Sequence, residues 1–289
     1  MIEIAGLTKQ LGGRTVVSDV TFRCEPGTVT GFLGPNGAGK TTTLRMLCGL
    51  TGPDAGHATV LGTPFRALPN PGRRVGVLLD ASAQHAGRRG SEVLAVAAQT
   101  MGTDPRQVPA ALERVGLDRH AGRKRVRAYS LGMRQRLGIA HALLGNPEVL
   151  ILDEPANGLD PEGMRWMRGL LRDFASRGGT VLLSSHLLHE VEAVADRLVI
   201  IGGGRVAAQG APAELLADTG TLVRAADTDA LRRALSTFGV RDGEAGLLVD
   251  AQPAAVGRAA AAAGIALEHL APAPGAGLEQ LFFDLTETR

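Results

Sequence analysis

Hydrophobic residues follow two different periods along this chain. Short apolar runs, many of them β-branched, alternate with longer stretches in which apolar residues recur every three or four positions. The first pattern predicts strands and the second predicts helices. Strands are predicted at residues 2–7, 15–24, 28–33, 58–61, 75–79, 149–152, 180–184, 198–201 and 205–209, and helices at 40–48, 161–176 and 186–195. The alternation of strands with helices predicts an α/β fold, with a parallel sheet covered on both faces.

Three regions depart from this alternation. The early strands, broken by glycine pairs and by Glu25-Pro26-Gly27, predict an antiparallel β-subdomain. Residues 88–145 have helical spacing and predict a helical insertion. Residues 219–289 predict a small α+β domain after a domain of residues 1–218, with segments at 222–225, 231–238, 247–250, 254–263 and 265–270. A last helix is expected to carry one apolar stripe of Leu278, Leu281, Phe282 and Leu285.

Composition narrows the class of protein. A chain of 289 residues is long enough for one large and one small domain, and a net charge of +2 favours no polyanionic partner. Cys24 and Cys48 are the only cysteines, which indicates a reducing compartment and a packing role. No N-terminal signal pattern and no run of ~18 apolar residues is present. We therefore expect any membrane-related work to need a partner that supplies the membrane part.

One glycine-rich segment carries the clearest chemistry. It fits the spacing of a phosphate-binding loop between a predicted strand and a predicted helix, and it reads Gly34-Pro35-Asn36-Gly37-Ala38-Gly39-Lys40-Thr41-Thr42. The glycines let backbone N–H groups and a helix N-terminus approach phosphates. Lys40 is expected to reach the β and γ phosphates, and the Thr41 hydroxyl to bind Mg²⁺. The alternative is a glycine-rich turn with a chance lysine.

Two adjacent carboxylates end the apolar strand at 149–152. Successive side chains at a strand end point in different directions, so one acid can face the metal and the next the attacking water. Asp153 is the predicted metal-side acid, and Glu154 the predicted general base or water-orienting group. A solvated strand terminus is the alternative interpretation.

A second anion-binding helix start is predicted at Ser130 and Gly132, where the chain reads Tyr-Ser-Leu-Gly-Met-Arg-Gln-Arg over 129–136. One nucleotide hardly needs two such ends from separate parts of one chain. Together with residues 34–42, Asp153-Glu154 and Ser184-Ser185-His186, in this order, the segment resembles the nucleotide-binding subunit of ATP-binding cassette (ABC) transporters. The resemblance covers about residues 1–217.

The resemblance implies a head-to-tail dimer that uses ATP and Mg²⁺. Ser130 and Gly132 would contact the γ-phosphate held by the other subunit, Asp160 would act across the interface, and His186 would hold the γ-phosphate. Leu11 stands where the family usually has an aromatic residue on adenine. Leu131 and Met133 replace a glycine and a glutamine of the family's Leu-Ser-Gly-Gly-Gln. Asp80 stands in place of a glutamine that senses the cation, with Gln84 as a possible substitute.

The same resemblance implies a separate multi-span membrane permease that docks near residues 80–89 and the helical insertion. The protein would lie at the cytoplasmic face of the membrane. The tail at 278–282 is similar to that of exporter subunits for drug, antibiotic or lipid-like cargo. Rival interpretations are a soluble cassette ATPase acting on ribosomes or nucleic acid and a phosphate-loop kinase. The basic residues at 123–127 predict a solvated face or an anionic contact, and His186, His189 and Glu190 could instead hold a metal.

Overall fold

The structure is a computed structural model, and it describes residues 1–217, 220–243 and 245–272. Its chain divides into two compact units, one of Met1–Gln209 and a second that begins at Gly210. The boundary predicted after residue 218 and the predicted helix with Leu278 fall outside the described residues. Among the helices of the described ranges, none combines the length and the apolar character that crossing a bilayer would require.

The first unit contains nine strands and eight α-helices in the part of the chain that is described. Its strands are β1 (Ile2–Leu11), β2 (Arg14–Cys24), β3 (Val29–Leu33), β4 (Ala55–Val60), β5 (Val75–Leu78), β6 (Val149–Leu152), β7 (Thr180–Ser185), β8 (Arg197–Gly202) and β9 (Arg205–Gly210). Its helices are α1 (Lys40–Leu47), α2 (Pro71–Arg74), α3 (Gly90–Met101), α4 (Val108–Arg114), α5 (Arg119–Arg123), α6 (Leu131–Leu143), α7 (Pro161–Ser176) and α8 (Leu188–Glu192).

Two sheets enclose the main core of this unit. The strands β2, β1 and β4 form an antiparallel sheet, and the second sheet has the order β5-β6-β7-β3-β8-β9, in which β5, β6, β7, β3 and β8 run parallel. Phe22 of β2 and Phe32 of β3 meet with ring centroids 5.2 Å apart, and Leu44 of α1 joins them in one buried cluster. On the opposite face of β3, Gly31 lies against Val191 of α8. The predicted parallel sheet with both faces covered is therefore confirmed.

The helical insertion is attached to the sheet through α6. A Cβ at Gly76 of β5 would lie 2.1 Å from the Ala142 carbonyl oxygen, and one at Gly138 would lie 2.6 Å from the Leu78 side chain. The two backbones therefore touch at Gly76, and at Gly138 the Leu78 side chain packs directly against the helix backbone. Because β5 pairs with β6, α6 is held against the edge of the sheet that ends in Asp153.

The predicted helix at 186–195 is wrong at its start. Ser185 Oγ accepts a bond from Leu187 N (3.0 Å) and donates to Glu190 Oε2 (2.9 Å), and Leu187 is extended. These local side-chain bonds replace the first helical turn, so the helix begins only at Leu188. His186 consequently stays at the end of β7 instead of entering a helix.

The second unit has strand–helix–strand–strand–helix–strand order after a short helix. Its elements are α9 (Pro212–Ala217), β10 (Thr221–Ala225), α10 (Thr228–Ala234), β11 (Val240–Gly243), β12 (Gly246–Val249), α11 (Pro253–Ala262) and β13 (Leu267–Pro272). The sheet order β11-β12-β10-β13 is that of a split βαβ, ferredoxin-like fold. Leu231, Val256 and Val223 form part of its core. The predicted α+β series lacked β11.

Candidate active site

The glycine-rich loop lies between β3 and α1, and its glycines do different work. A Cβ at Gly34 would lie 2.5 Å from the Ile201 carbonyl oxygen, and one at Gly39 would lie 2.6 Å from the Val16 carbonyl oxygen. Gly39 also has φ +104°, which L side chains rarely adopt. Gly37 (φ +82°) has open space where a Cβ would be. Two glycines therefore pack the loop against β8 and β2, and the third leaves its outer side free for a ligand.

Lys40 turns its ammonium group into this loop. Its Nζ donates to the carbonyl oxygens of Gly34 (2.6 Å) and Pro35 (3.3 Å), and it lies 3.4 Å from Glu154 Oε1. The side chain is only 6% exposed. A buried ammonium surrounded by oxygen atoms is a positive centre placed for an anion at the loop. The other residues predicted in the loop, Pro35, Asn36, Ala38 and Thr42, complete the turn and the start of α1.

Asp153 ends β6 as predicted, and both of its carboxylate oxygens are engaged. Thr41 Oγ1 donates to Oδ2 over 2.7 Å, which joins the loop to β6. Ser184 Oγ donates to Oδ1, and the backbone N–H of Glu154 donates to the same hydroxyl over 3.0 Å. Asp153 is 7% exposed and Ser184 is fully buried. The Ser184 hydroxyl therefore fixes the two adjacent acids relative to each other.

Glu154 lies between two groups that can carry positive charge. Its Oε2 is 2.8 Å from His186 Nδ1, and its Oε1 faces Lys40 but has no hydrogen-bond partner in the described part of the chain. Its φ is +48°, a left-handed backbone conformation that is uncommon for a residue with a side chain. The three residues predicted as catalytic, Lys40, Glu154 and His186, are thus brought together.

A cavity of about 720 Å³ opens beside this cluster. Its polar lining includes Thr41, Asp80, Gln84 and Asp153. Asp80 Oδ1 accepts a bond from Ser82 N over 2.6 Å, whereas the buried Gln84 Oε1 has no partner among the described residues. A hydroxyl, carboxylates and an unpaired amide oxygen around one cavity are the donor types that Mg²⁺ prefers, so these residues fit such an ion.

His141 of α6 lines the same cavity, together with Arg45, Asp80 and Asp153. Burial lowers the pKa of His141 below its ordinary value, because the charged imidazolium is poorly solvated there. Nothing in the sequence marks this position beyond the apolar helical stripe around it.

The three residues expected to act across the dimer, and Leu11 at the position expected to contact adenine, lie elsewhere. Ser130 is the exposed N-cap of α6 and its Oγ accepts a bond from Met133 N (3.2 Å), while Asp160 caps α7 by accepting from Gly163 N (2.8 Å). Gly132 lies against the Gly158 carbonyl oxygen, 2.6 Å from where its Cβ would be. Leu11, at the end of β1, is 49% exposed. None of these four lines the cavity that Thr41 and Asp153 line.

The alternative metal site at the end of β7 has little support. His186 contacts Glu154, and Glu190 accepts from Ser185, so each has a different partner. No group of three metal-ligating His, Cys, Asp or Glu side chains is found within residues 1–217, 220–243 and 245–272. The side chain of His189 lies outside what is described.

Sequence reasoning missed the role of Gln135. This residue is on α6, and its Nε2 donates to the backbone oxygen of Glu154 over 3.2 Å. The only available signal was a polar residue at a position that helical spacing places toward the core, four residues before the buried Ile139.

Comparison with known proteins agrees with this geometry. The family model described as ABC transporter matches residues 17–157. A bacitracin transport ATP-binding protein of Bacillus licheniformis is 42% identical over 209 residues, covering 71% of this chain and 68% of the relative. A Nod factor export ATP-binding protein I of Rhizobium etli is 39% identical over 220 residues, covering 74% of this chain and 69% of the relative.

Among solved structures, a dimeric ATP-binding cassette in a post-hydrolysis state, bound to ADP and phosphate, has a similar fold. Its TM-score is 0.66 at 19% sequence identity, and the match covers 73% of this chain and 98% of that one. The glycine loop, the paired acids and these relatives lead to one conclusion: the chain belongs to the ATP-binding proteins of ABC transporters and is an ATPase.

Proposed function

We propose that this protein is the ATP-hydrolysing subunit of an ABC exporter, and that it works as a head-to-tail dimer on a separate membrane permease. The observation that carries the hydrolytic mechanism is the position of Glu154, 3.4 Å from Lys40 Nζ and 2.8 Å from His186 Nδ1 at the mouth of the glycine loop. A carboxylate held between a phosphate-binding lysine and a histidine is suited to orient or deprotonate water at a γ-phosphate.

Each residue has a defined task in this mechanism. The loop backbone and Lys40 bind the phosphates of ATP, and Glu154 orients the attacking water. His186 fixes the Glu154 carboxylate and supplies a ring nitrogen near the γ-phosphate. Thr41 and Asp153 would hold Mg²⁺, with Asp80 or Gln84 as a further oxygen ligand from the same cavity. When bound, the ion neutralises charge on the phosphate oxygens.

Dimerisation is supported by what the single subunit leaves open. Ser130 and the side chain of Leu131 are exposed at the start of α6, away from the cavity lined by Thr41. Ser130 and Gly132 therefore remain available for the nucleotide of a second copy, with Asp160 near them through the Gly132–Gly158 contact. Leu11 is an exposed apolar contact for adenine. The cassette with a similar fold is dimeric in a post-hydrolysis state bound to ADP and phosphate.

The membrane partner is inferred from the relatives and from one groove. Two relatives are named for bacitracin transport and for Nod factor export, and export is therefore the direction we propose. The groove is the cavity that Thr41 and Asp153 also line. Its apolar walls are formed by Leu50, Leu79, Ala83 and Val93. A permease segment docked there would touch Asp80 and Gln84, and would keep the ATPase at the cytoplasmic face of the membrane.

The hydrolytic role is tested with Glu154→Gln. This change keeps the size of the side chain and removes the base, so we expect ATP binding within about twofold of wild type and hydrolysis slower by ~10²-fold or more, with an ATP-bound dimer trapped. Lys40→Ala is the comparison, since it should weaken ATP binding itself. Light scattering with ATP and a phosphate-release assay report both effects. Unchanged turnover in Glu154→Gln would remove that residue from its role.

The partner is tested by affinity purification of the tagged full-length chain from its own cells. Recovery of a multi-span hydrophobic protein supports the exporter. Ribosomes or nucleic acid in the same eluate, released by nuclease treatment, would instead support the soluble ATPase.

A further inference from the structure

We propose that Gln135 is a positioning residue for Glu154, and that it couples the start of α6 to the hydrolytic carboxylate of the same chain. The proposal rests on the role of Glu154 in hydrolysis proposed above. It concerns what holds that residue in place, and it assigns a function to a side chain that does not reach the nucleotide loop.

The contact is specific and buried. Gln135 is 5% exposed, and its Nε2 donates to the Glu154 carbonyl oxygen over 3.2 Å. The same oxygen also accepts from the backbone N–H of Asn157, 3.2 Å away, which closes the turn after β6. The amide of Gln135 is the bond that ties this turn to a different element, since Gln135 belongs to α6.

Glu154 needs such support because of its backbone conformation. A φ of +48° is disfavoured for a residue with a Cβ and persists only where the surroundings hold it. Ser184 holds the N–H of Glu154, His186 holds Oε2, and Gln135 holds the carbonyl group. Loss of any of these contacts lets the peptide relax and moves the carboxylate away from the loop.

The amide is not explained by stability. Gln135 Oε1 is buried and has no hydrogen-bond partner in the described part of the chain. Burying a half-satisfied amide costs free energy, and an apolar side chain here would leave no orphaned backbone group, since the Glu154 carbonyl oxygen keeps its bond from Asn157 N. A glutamine at this position is therefore best accounted for by the one bond that it does make.

Because Gln135 lies on α6, its hydrogen bond links the start of this helix to Glu154. Ser130 caps the helix, and Gly132 packs against the Gly158 carbonyl oxygen one turn before Gln135. The first two turns of α6 therefore touch the chain from Glu154 to Gly158 at two points. A displacement of the helix start, as when Ser130 engages the nucleotide of a second copy, is passed to Glu154 through the amide.

The test uses the full-length chain with Gln135→Met, which keeps the length of the side chain and removes the donor. The matched control is Gln99→Met at an exposed position on α3. We expect kcat to fall about tenfold, since a hydrogen bond of ordinary strength corresponds to a rate change of that order. The affinity for ATP should stay within twofold, the midpoint of thermal unfolding should not decrease, and the control should match wild type.

A double-mutant cycle separates positioning from general support. If Gln135 acts through Glu154, Gln135→Met should change the residual hydrolysis of Glu154→Gln by less than twofold. An equal tenfold loss in that background, or an unchanged kcat in the single variant, would overturn the proposal. If Glu154→Gln itself hydrolyses ATP at the wild-type rate, the proposed function fails first.

Gln135→Glu gives an independent readout if the methionine variant folds poorly. An ionised glutamate cannot donate to the Glu154 carbonyl group, whereas a protonated one can, and burial raises the pKa of such a carboxyl group. The ratio of kcat for Gln135→Glu to kcat for wild type should therefore rise as the pH falls from 8 to 6. A ratio that stays constant across this range contradicts the assigned donor role.

Discussion

Ser184→Ala is expected to lower the stability of the first unit and its ATPase activity together. The hydroxyl is fully buried, donates to Asp153 Oδ1 and accepts from the backbone N–H of Glu154 over 3.0 Å. Alanine leaves both groups without this partner in a region where Asp153 is 7% exposed. The change therefore disturbs both acids at once.

The magnitude follows from these two bonds. A hydrogen bond to a charged group contributes about 1.5–3 kcal/mol, and an orphaned buried N–H costs ~1–3 kcal/mol. The two terms are not additive, so we expect a loss of about 3 kcal/mol in the free energy of unfolding. With an m-value of about 3 kcal/mol/M, the urea midpoint should fall by about 1 M. Because the hydroxyl also fixes the two carboxylates relative to each other, its loss misplaces them and kcat should fall by ~10-fold or more.

The assay can follow the first unit alone. Trp166 is the only tryptophan of the chain and lies on α7, with the Arg136 guanidinium 4.7 Å above its ring. Its fluorescence during urea unfolding therefore reports the ATP-binding unit and not the second unit. Ser176→Ala is the control, since its hydroxyl donates only to the Asp173 carbonyl group at an exposed site. A difference of 0.2 M in urea midpoint corresponds to about 0.6 kcal/mol at the same m-value. If the midpoint of Ser184→Ala lies within about 0.2 M of that control and its ATPase activity is full, the role given to the hydroxyl is refuted.

Two further predictions concern titration. The free energy of unfolding should decrease as the pH falls below about 6.5, because His141 is then protonated in the unfolded chain, while burial lowers its pKa in the folded state. In urea titrations between about pH 7.5 and 5.5, His141→Gln should reduce this dependence of the free energy of unfolding on pH. Equal dependence in the variant and in wild type would contradict the prediction. Burial raises the pKa of both Cys24 and Cys48 to about 12, so neither should react with a thiol-specific disulfide reagent at pH 8 until urea unfolds the protein. Rapid labelling of the folded chain would argue against the packing role of these cysteines.

Local patterns predicted the elements that carry the site. The apolar run Val149–Leu152 and the helix Pro161–Ser176 have the bounds that the sequence indicated, because each ends at an unambiguous polar or proline residue. The contacts of Lys40, Glu154 and His186 could be expected once the loop and the strand ends were placed on one sheet edge. Such signals are contained within a few neighbouring residues.

Other features depend on partners far along the chain. The positive φ of Glu154 follows from bonds to Ser184 and Gln135, which lie 30 and 19 residues away. Strand β11 escaped prediction because Val-Arg-Asp-Gly has little β-propensity of its own and is stabilised by pairing with β12. Helix α8 starts late because the Ser185 hydroxyl competes with its first turn. No period in the sequence encodes these choices.

The contact between Gly76 and the Ala142 carbonyl oxygen has a mechanical consequence. Since α6 rests on β5 there and again at Gly138, the second half of this helix cannot slide or tilt without opening a void against the edge of the sheet. A swing of the inserted helices must therefore occur between this half of α6 and the group formed by α3, α4 and α5. In such a movement the second half of α6 stays fixed, and the segments on either side of that group, at 79–89 and 124–130, are the hinges.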